Sequence, residues 1–397
     1  MDSKVITLLK TEAYIDGAWL RTAKSFAVVD KASGGLIASV ADCGSVEARL
    51  AVTAATRAFG PWSRTLAKDR SVLIRRWNDL MLEHADELAL LLTKEQGKPL
   101  AEAKGEIVYG ASFVEFYAEE AKRVRGETAP THKSDARILI TKQAAGVVAA
   151  ITPWNFPNAM IARKASAALA AGCTIVIKPA EDTPLSALAL AALAEKAGIP
   201  HGVINIVPCK DPAAVGDVFS TDPRVRVLTF TGSTEVGKIL MRQAAGTVKK
   251  VSLELGGSAP FIVFDDADIA RAVAGLMASK FRNAGQTCVC ANRIFVQAGI
   301  YDAFAGALAA AAKLLKVGAG IDAGVNVGPL ISAEAVAKSD DHVRDAVAKG
   351  AVVATGGRIH PAGANFYEPT VLTGVPATAK IAQEETFGPV APLFKFE

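Results

Sequence analysis

Cysteine is scarce: five in 397 residues, an odd number with two of them, Cys288 and Cys290, nearly adjacent. That excludes the paired framework of a disulfide-stapled secreted domain, and no Cys/His group has the spacing of a zinc site. At least one thiol is left over for chemistry. Charge of one sign is also missing. The 44 basic and 40 acidic residues give a net charge of +4 and are scattered, with no Lys/Arg run that could track a phosphate backbone, so nucleic acid is excluded as the expected partner. Met1-Asp2-Ser3-Lys4-Val5 has no cationic stretch leading into a long apolar one, so no secretory signal is expected and the protein is assigned to the cytoplasm. The longest uncharged stretch, Gln143 to Ala162, has membrane length but holds Pro153, Trp154, Asn155, Pro157 and Asn158, which suit a strand and turn rather than a spanning helix. Aromatics are only 6% against 51% hydrophobic residues, a mix rich in Ala, Val, Leu and Gly that suits helices packed on parallel sheets. The length exceeds one ordinary core and implies about two or three domains. There is no internal repeat and no low-complexity linker.

What is present begins with helices. Ser45 reads as the cap of a segment through Phe59, and a second segment from about Asp69 to Gln96 spaces Ile74, Trp77 and Met81 for one buried face, with Gly97 ending it. Ile138-Leu139-Ile140 reads as an exposed strand able to pair outside its own domain. From Gly146 the pattern becomes strict alternation. Strands are expected at Val147–Ile151, Thr174–Lys178, Val203–Val207 and Val227–Phe230, with Thr183-Pro184 and Asp211-Pro212 as helix starts. Strand and helix in alternation predict a parallel sheet with helices on both faces, whose ligands bind beyond the carboxyl ends of the strands. A second α/β block starts near Ser258, with strands at Phe261–Phe264 and Arg293–Val296 around a helix from Ala267 to about Asn283. The chain stops at Phe394-Lys395-Phe396-Glu397, within what reads as a strand.

The turns carry the chemistry. Asn155, in the uncharged loop Thr152-Pro153-Trp154-Asn155-Phe156-Pro157, can donate to an oxyanion, or is simply a turn Asn beside Pro. Lys178 and Glu181 end the second strand where a dinucleotide's adenosine ribose would lie, and there Glu181 would repel an added phosphate; a solvated charged turn is the alternative. Gly232 and Ser233, in Phe230-Thr231-Gly232-Ser233, open a helix at which free N–H groups favour phosphate, although the motif is not the G-x-G-x-x-G fingerprint. Glu254, between Leu253 and Leu255 and before two glycines, should have apolar surroundings and a raised pKa suited to a general base; a buried ion-paired Glu is the alternative. Cys288 sits in the loop Gly285-Gln286-Thr287-Cys288-Val289-Cys290, where backbone N–H groups can activate a thiol, the alternative being two inert buried thiols.

Together these segments resemble the aldehyde dehydrogenase superfamily in the family's order over nearly the whole chain: TPWNFP, KPAE, FTGSTEVG, LELGG, GQTCVCANR, and Glu384-Glu385-Thr386-Phe387-Gly388-Pro389. The resemblance implies a Rossmann-type cofactor domain from 1–126 and 146–257, a bridging and oligomerisation strand segment at 127–145, and an α/β catalytic domain at 258–397. The superfamily continues beyond this length, so that domain is expected to be incomplete. It implies Cys288 as nucleophile, Asn155 as oxyanion donor, Glu254 as the base for hydrolytic water and Lys164 as a supporting lysine. It places NAD, favoured over NADP by Glu181, on Thr152, Pro153, Trp154, Lys178, Ala180, Glu181, Gly232, Ser233, Glu254, Leu255, Glu385 and Phe387, with no metal. Within the superfamily the chain is most similar to succinate-semialdehyde dehydrogenases, enzymes of γ-aminobutyrate degradation. Arg163 and Arg282 would grip a distal carboxylate, with Phe156 and Cys288 lining the substrate site, and glutarate semialdehyde would suit the same arginines. Cys290 is expected to resolve oxidised Cys288 as a reversible disulfide. A homodimer or homotetramer is expected of the full-length protein, with no membrane partner. An inactive fold kept as a binding protein is the contrasting expectation.

Overall fold

The computed structural model describes residues 7–397; the Met1–Val5 start lies outside them. The described chain forms two compact units. The first comprises, among the described residues, 7–28, Ala38–Leu91 and Lys104–Glu254, the second Val29–Ile37, Leu92–Ala103 and Leu255–Glu397.

The strands, in chain order, are β1 (Ala13–Ile15), β2 (Ala18–Leu20), β3 (Ser25–Val29), β4 (Leu36–Ala41), β5 (Glu127–Ala129), β6 (Ile138–Ile140), β7 (Val147–Ile151), β8 (Thr174–Lys178), β9 (Ile204–Ile206), β10 (Val225–Thr231), β11 (Lys250–Glu254), β12 (Ala259–Val263), β13 (Ala291–Gln297), β14 (Val352–Thr355), β15 (Thr370–Thr373) and β16 (Val390–Phe396). In the first unit seven of them make one sheet, ordered β11-β10-β7-β8-β9-β1-β2. Its five strands from β7 to β11 are parallel, and β1 and β2 close one edge antiparallel. Every residue of β7 and β8 is buried, as continuous apolar runs covered on both faces must be. Helices Ser45–Arg64, Pro157–Ala170 and Pro184–Ala197 pack on the sheet, and Trp77, from the helix Ala67–Glu83, donates its indole N–H to Leu190 O at 3.1 Å. The Gln143–Ala162 stretch divides into β7, a turn and a helix start, and among the described residues no helix is long and apolar enough to cross a membrane.

Several expected boundaries move. The 69–96 segment is two helices, Ala67–Glu83 and Ala85–Gln96, broken at His84, because Asp86 and Glu87 form an acidic first turn that starts a new helix. Its apolar spacing still holds, with Ile74, Trp77 and Met81 all buried. The first helix runs to Arg64, and its cap is Gly44, whose N–H donates to Glu47 Oε2 at 2.7 Å, rather than Ser45. The strand Ile138–Ile140 pairs antiparallel with β5 of its own unit, leaving its three side chains exposed.

In the second unit the sheet is ordered β12-β13-β16-β15-β14, parallel except for β14. One apolar cluster joins Leu276, Ile294, Phe304 and Leu308 on it; another joins Val336, Val343, Tyr367 and Phe394. This unit also takes in Val29–Ile37 and Leu92–Ala103, which the expected domain limits assign to the first. Hydrogen bonding is the cause: Lys31 N donates to Lys94 O, Leu100 N to Gly320 O at 2.8 Å, and the Asn365 side-chain Nδ2 to Lys31 O. Residues 127–145 fall within the first unit.

Candidate active site

Chain order in the first sheet runs outward from β7 in two directions, to β8 and β9 on one side and to β10 and β11 on the other. The turns after β7 and β10 therefore flank a topological switch point, where open parallel sheets bind ligands. The turn after β7 carries Thr152, Asn155 and Phe156, all buried, with Pro153 and Trp154 half-buried. Pro157 starts the next helix, whose N-cap, Phe156, offers no side-chain oxygen. Its first N–H groups go instead to Glu106, a buried carboxylate from the helix Leu100–Glu120 that accepts from Asn158 N at 2.9 Å and Ala159 N at 3.2 Å. Nothing in the sequence signals Glu106, because its partner lies about 50 residues away.

At the end of β8, Lys178 is buried and donates to Glu181 Oε2 and to Pro179 O, both at 3.0 Å, while Glu181 stays partly open to solvent. Ala180 between them is buried. After β10, Ser233 caps the helix Thr234–Ala245 by accepting from Val236 N at 3.3 Å, and Gly232 N donates to Glu254 O. A side chain at Gly232 would strike the Phe230 ring at 2.4 Å, so glycine is required there.

Glu254 ends β11 exposed, not enclosed by its apolar neighbours as expected, since alternation along the strand turns Leu253 inward and Glu254 outward. Lys164 Nζ donates to Thr229 Oγ1 at 2.9 Å; burial pushes its ammonium down to about 8, the Arg163 cation adds to this, and Glu254 opposes it. Arg163 is half-buried, its guanidinium 5.3 Å from the Phe113 ring centre and bonded to Met160 Sδ at 3.1 Å. Among the described residues it makes no ion pair with an acid.

The second unit holds Cys288, Cys290, Arg282, Leu255, Glu385 and Phe387. Cys288 is exposed in the turn that Cys290 N closes onto Thr287 O at 3.1 Å, and Arg282 is exposed at the start of the preceding 3-10 turn. Cys290 is fully buried, with its sulfur toward the carbonyls of Lys280 and Ala291. Pairing of the two thiols, expected to require the loop to bend, needs this turn to open. Before Cys288, Asn283, Ala284 and Gly285 all have left-handed backbones, at φ 50, 55 and 75°. Two amides hold this bend: Asn283 Nδ2 donates to Gln286 O, Gln286 Nε2 to Asn283 O, and Gln286 Oε1 accepts from Ile331 N. Gly285 lies so close to Gly388 that an added Cβ would sit 2.1 Å from the Gly388 carbonyl oxygen. The loop Glu384–Pro389 thereby braces the Cys288 loop. Phe387 is also left-handed, at φ 55°. Burial raises the Glu385 pKa, a backbone N–H from Gly257 opposing it, and its Oε1 is buried with no partner. His342, unmarked in the sequence, holds Thr386 Oγ1 at 3.0 Å and faces Glu384 at 3.4 Å, and burial lowers its pKa.

Residues 19–397 match the aldehyde dehydrogenase family. The chain belongs to that family. It is 56% identical to the succinate-semialdehyde dehydrogenase [NADP(+)] of Escherichia coli, over 98% of this chain and 81% of the relative. It is 57% identical to the 3-sulfolactaldehyde dehydrogenase of Pseudomonas putida and 56% identical to the glutarate-semialdehyde dehydrogenase of Pseudomonas aeruginosa, each over 100% of this chain and 82% of the relative. The crystal structure of a succinate-semialdehyde dehydrogenase from Burkholderia pseudomallei is 56% identical and superposes with a TM-score of 0.98, covering 100% of this chain and 82% of that one. As an aldehyde dehydrogenase the chain uses a nicotinamide dinucleotide. The residues present in the first unit fit such a group: the Ser233 helix start offers N–H groups, and the Thr152 and Thr231 hydroxyls are buried without a protein partner.

Proposed function

We propose that this aldehyde dehydrogenase oxidises semialdehydes with a distal anionic group, succinate semialdehyde foremost, to the corresponding acids. The observation that carries this is Arg163: a half-buried guanidinium beside Lys164, held by a ring and a thioether, with no acid to neutralise it among the described residues. A half-buried guanidinium with no acid beside it keeps its charge and its N–H donors for a ligand. One left unpaired next to the loop of Asn155 supports a substrate that brings its own carboxylate, with Arg282 as the second donor. Glutarate semialdehyde carries the same group and belongs to the same reading.

In this reading the Cys288 thiolate adds to the aldehyde carbon, while Asn155 Nδ2 and the Cys288 N–H donate to the oxyanion. NAD, held at Lys178, Glu181, Gly232, Ser233, Glu385 and Phe387, supplies the hydride acceptor when bound. Glu254 takes a proton from water for thioester hydrolysis, and its exposure leaves it open to that water. Lys164 steadies the helix behind Asn155. The preference for NAD over NADP rests on the Glu181 carboxylate, tempered by its bond to Lys178. Oxidised Cys288 is resolved by Cys290 only after the intervening turn opens. Five thiols outside any disulfide suit a cytoplasmic setting. The exposed Ile138, Leu139 and Ile140 on an open hairpin support assembly into a homodimer or homotetramer.

A panel of succinate semialdehyde, glutarate semialdehyde and butanal, followed by NADH absorbance, tests the reading. kcat/KM should be at least tenfold higher for the two acids; parity with butanal would reject a carboxylate site.

A further inference from the structure

The helix Leu100–Glu120 meets the helix Pro157–Ala170 through residues 106, 110 and 113, the i, i+4, i+7 rows of one helical face. Glu106 caps the partner helix at Asn158 and Ala159. Gly110 lets the backbones approach, for an added Cβ there would lie 2.6 Å from Asn158 Oδ1 and 3.2 Å from Ala159 Cα. Phe113 is the third point, its ring centre 5.3 Å from the Arg163 guanidinium carbon. The ring is itself held by Tyr109, edge-on at 4.7 Å and 67°.

We propose that Phe113 sets the preference for aldehydes with a distal anion, by holding the Arg163 guanidinium through its ring face. The inference rests on the substrate reading above and deepens it. A carboxylate partner would hold Arg163 more firmly, but it would also consume the in-plane N–H donors and cancel the charge. An aromatic face attracts the cation across its plane and leaves those donors for a ligand. Of the protein groups, only the weak acceptor Met160 Sδ takes an N–H among the described residues. Glu106 and Gly110 fix the register of the two helices, so Phe113 meets Arg163 in one place. Phe113 is thus a positioning residue acting through Arg163.

The test compares wild type, Phe113→Leu, Phe113→Trp and Arg163→Ala. Leu keeps the apolar bulk without a π face, and Trp restores the face. The readouts are the ratio of kcat/KM for succinate semialdehyde to that for butanal, and the Kd of succinate by titration calorimetry. Phe113→Leu should lower the ratio about tenfold, through KM, and weaken succinate by a similar factor, equivalent to about 1.4 kcal/mol. Phe113→Trp should recover most of both. A wild-type ratio and Kd in Phe113→Leu, with both collapsed in Arg163→Ala, overturns the role of Phe113 and leaves the substrate reading standing. Equal losses on both aldehydes with the ratio intact show a merely structural ring and also overturn it. A wild-type ratio near one, unmoved by Arg163→Ala, overturns the substrate reading and this inference together.

Discussion

Lys164 Nζ and Thr229 Oγ1 are 2.9 Å apart, a hydrogen bond that ties the helix after β7 to β10. The lysine holds its proton less tightly in the fold, at about 8, than in the unfolded chain, at 10.5. Between those values the unfolded chain binds more protons, so this group's contribution to stability rises with pH there. Below about 8 the cost of a buried cation is fully present. Lys164→Met should therefore raise the melting temperature at pH 7 by about 2 °C or more, and the gain should fade by pH 10.5. Calorimetric scans from pH 6.5 to 10.5 check this; a gain that is constant across the series would disprove the cause.

Cys288→Ala should lower kcat by about 10⁴-fold or more, as loss of a covalent nucleophile does. Glu254→Gln should give a burst of NADH and then stall. Stopped-flow absorbance separates the two. Under mild peroxide, Cys288 should be oxidised first, being exposed, and a Cys288–Cys290 link should appear by peptide mass mapping only after activity is lost. A link that keeps pace with inactivation would mean the turn is already open.

Glu181→Gln should shift the ratio of kcat/KM for NADP to that for NAD upward by about tenfold, roughly 1.4 kcal/mol of relieved repulsion. Steady-state kinetics with both cofactors measure it. No shift would mean that Lys178 already cancels the carboxylate.

Gly285→Ala places a methyl 2.1 Å from Gly388 O on a backbone at φ 75°. It should destabilise the second unit by about 3 kcal/mol or prevent the Cys288 loop from forming. Urea unfolding followed by fluorescence gives the number. Gly324→Ala, also at a positive φ but with nothing within 4 Å, isolates the backbone component and should cost about 1 kcal/mol.

Ile138→Lys combined with Ile140→Lys leaves the β5–β6 pairing intact but charges its exposed face. The double variant should elute as a smaller species in size-exclusion chromatography with light scattering. An unchanged mass would remove the hairpin from the interface.

Strands β7 and β8 were legible to the residue because both faces are covered, so the apolar run and the strand coincide. The helix starts at Thr183 and Asp211 were legible through the proline that follows each, although only Asp211 makes a side-chain capping bond. Strands β1 and β2, three residues each, carry no period that a short window can detect. The exposure of Glu254 was misread because apolar neighbours in sequence lie on the opposite side of a strand from the residue between them. Glu106 and Phe113 were invisible for a different reason. Their helix, Leu100–Glu120, was not read from the sequence, and which of its faces meets Arg163 is decided by packing.

Strand β16 pairs with β13 on one side and β15 on the other, and it alone joins β12–β13 to β14–β15. Its nearest partner in sequence, β15, is close, but β13 lies about 100 residues upstream. A stage of folding before β16 is in place would leave β13 and β15 each with an unpaired edge. That stage pays for a long loop closure before any pairing rewards it, which makes it slow. Refolding yield should accordingly fall with protein concentration, as the open edges of different molecules find one another first.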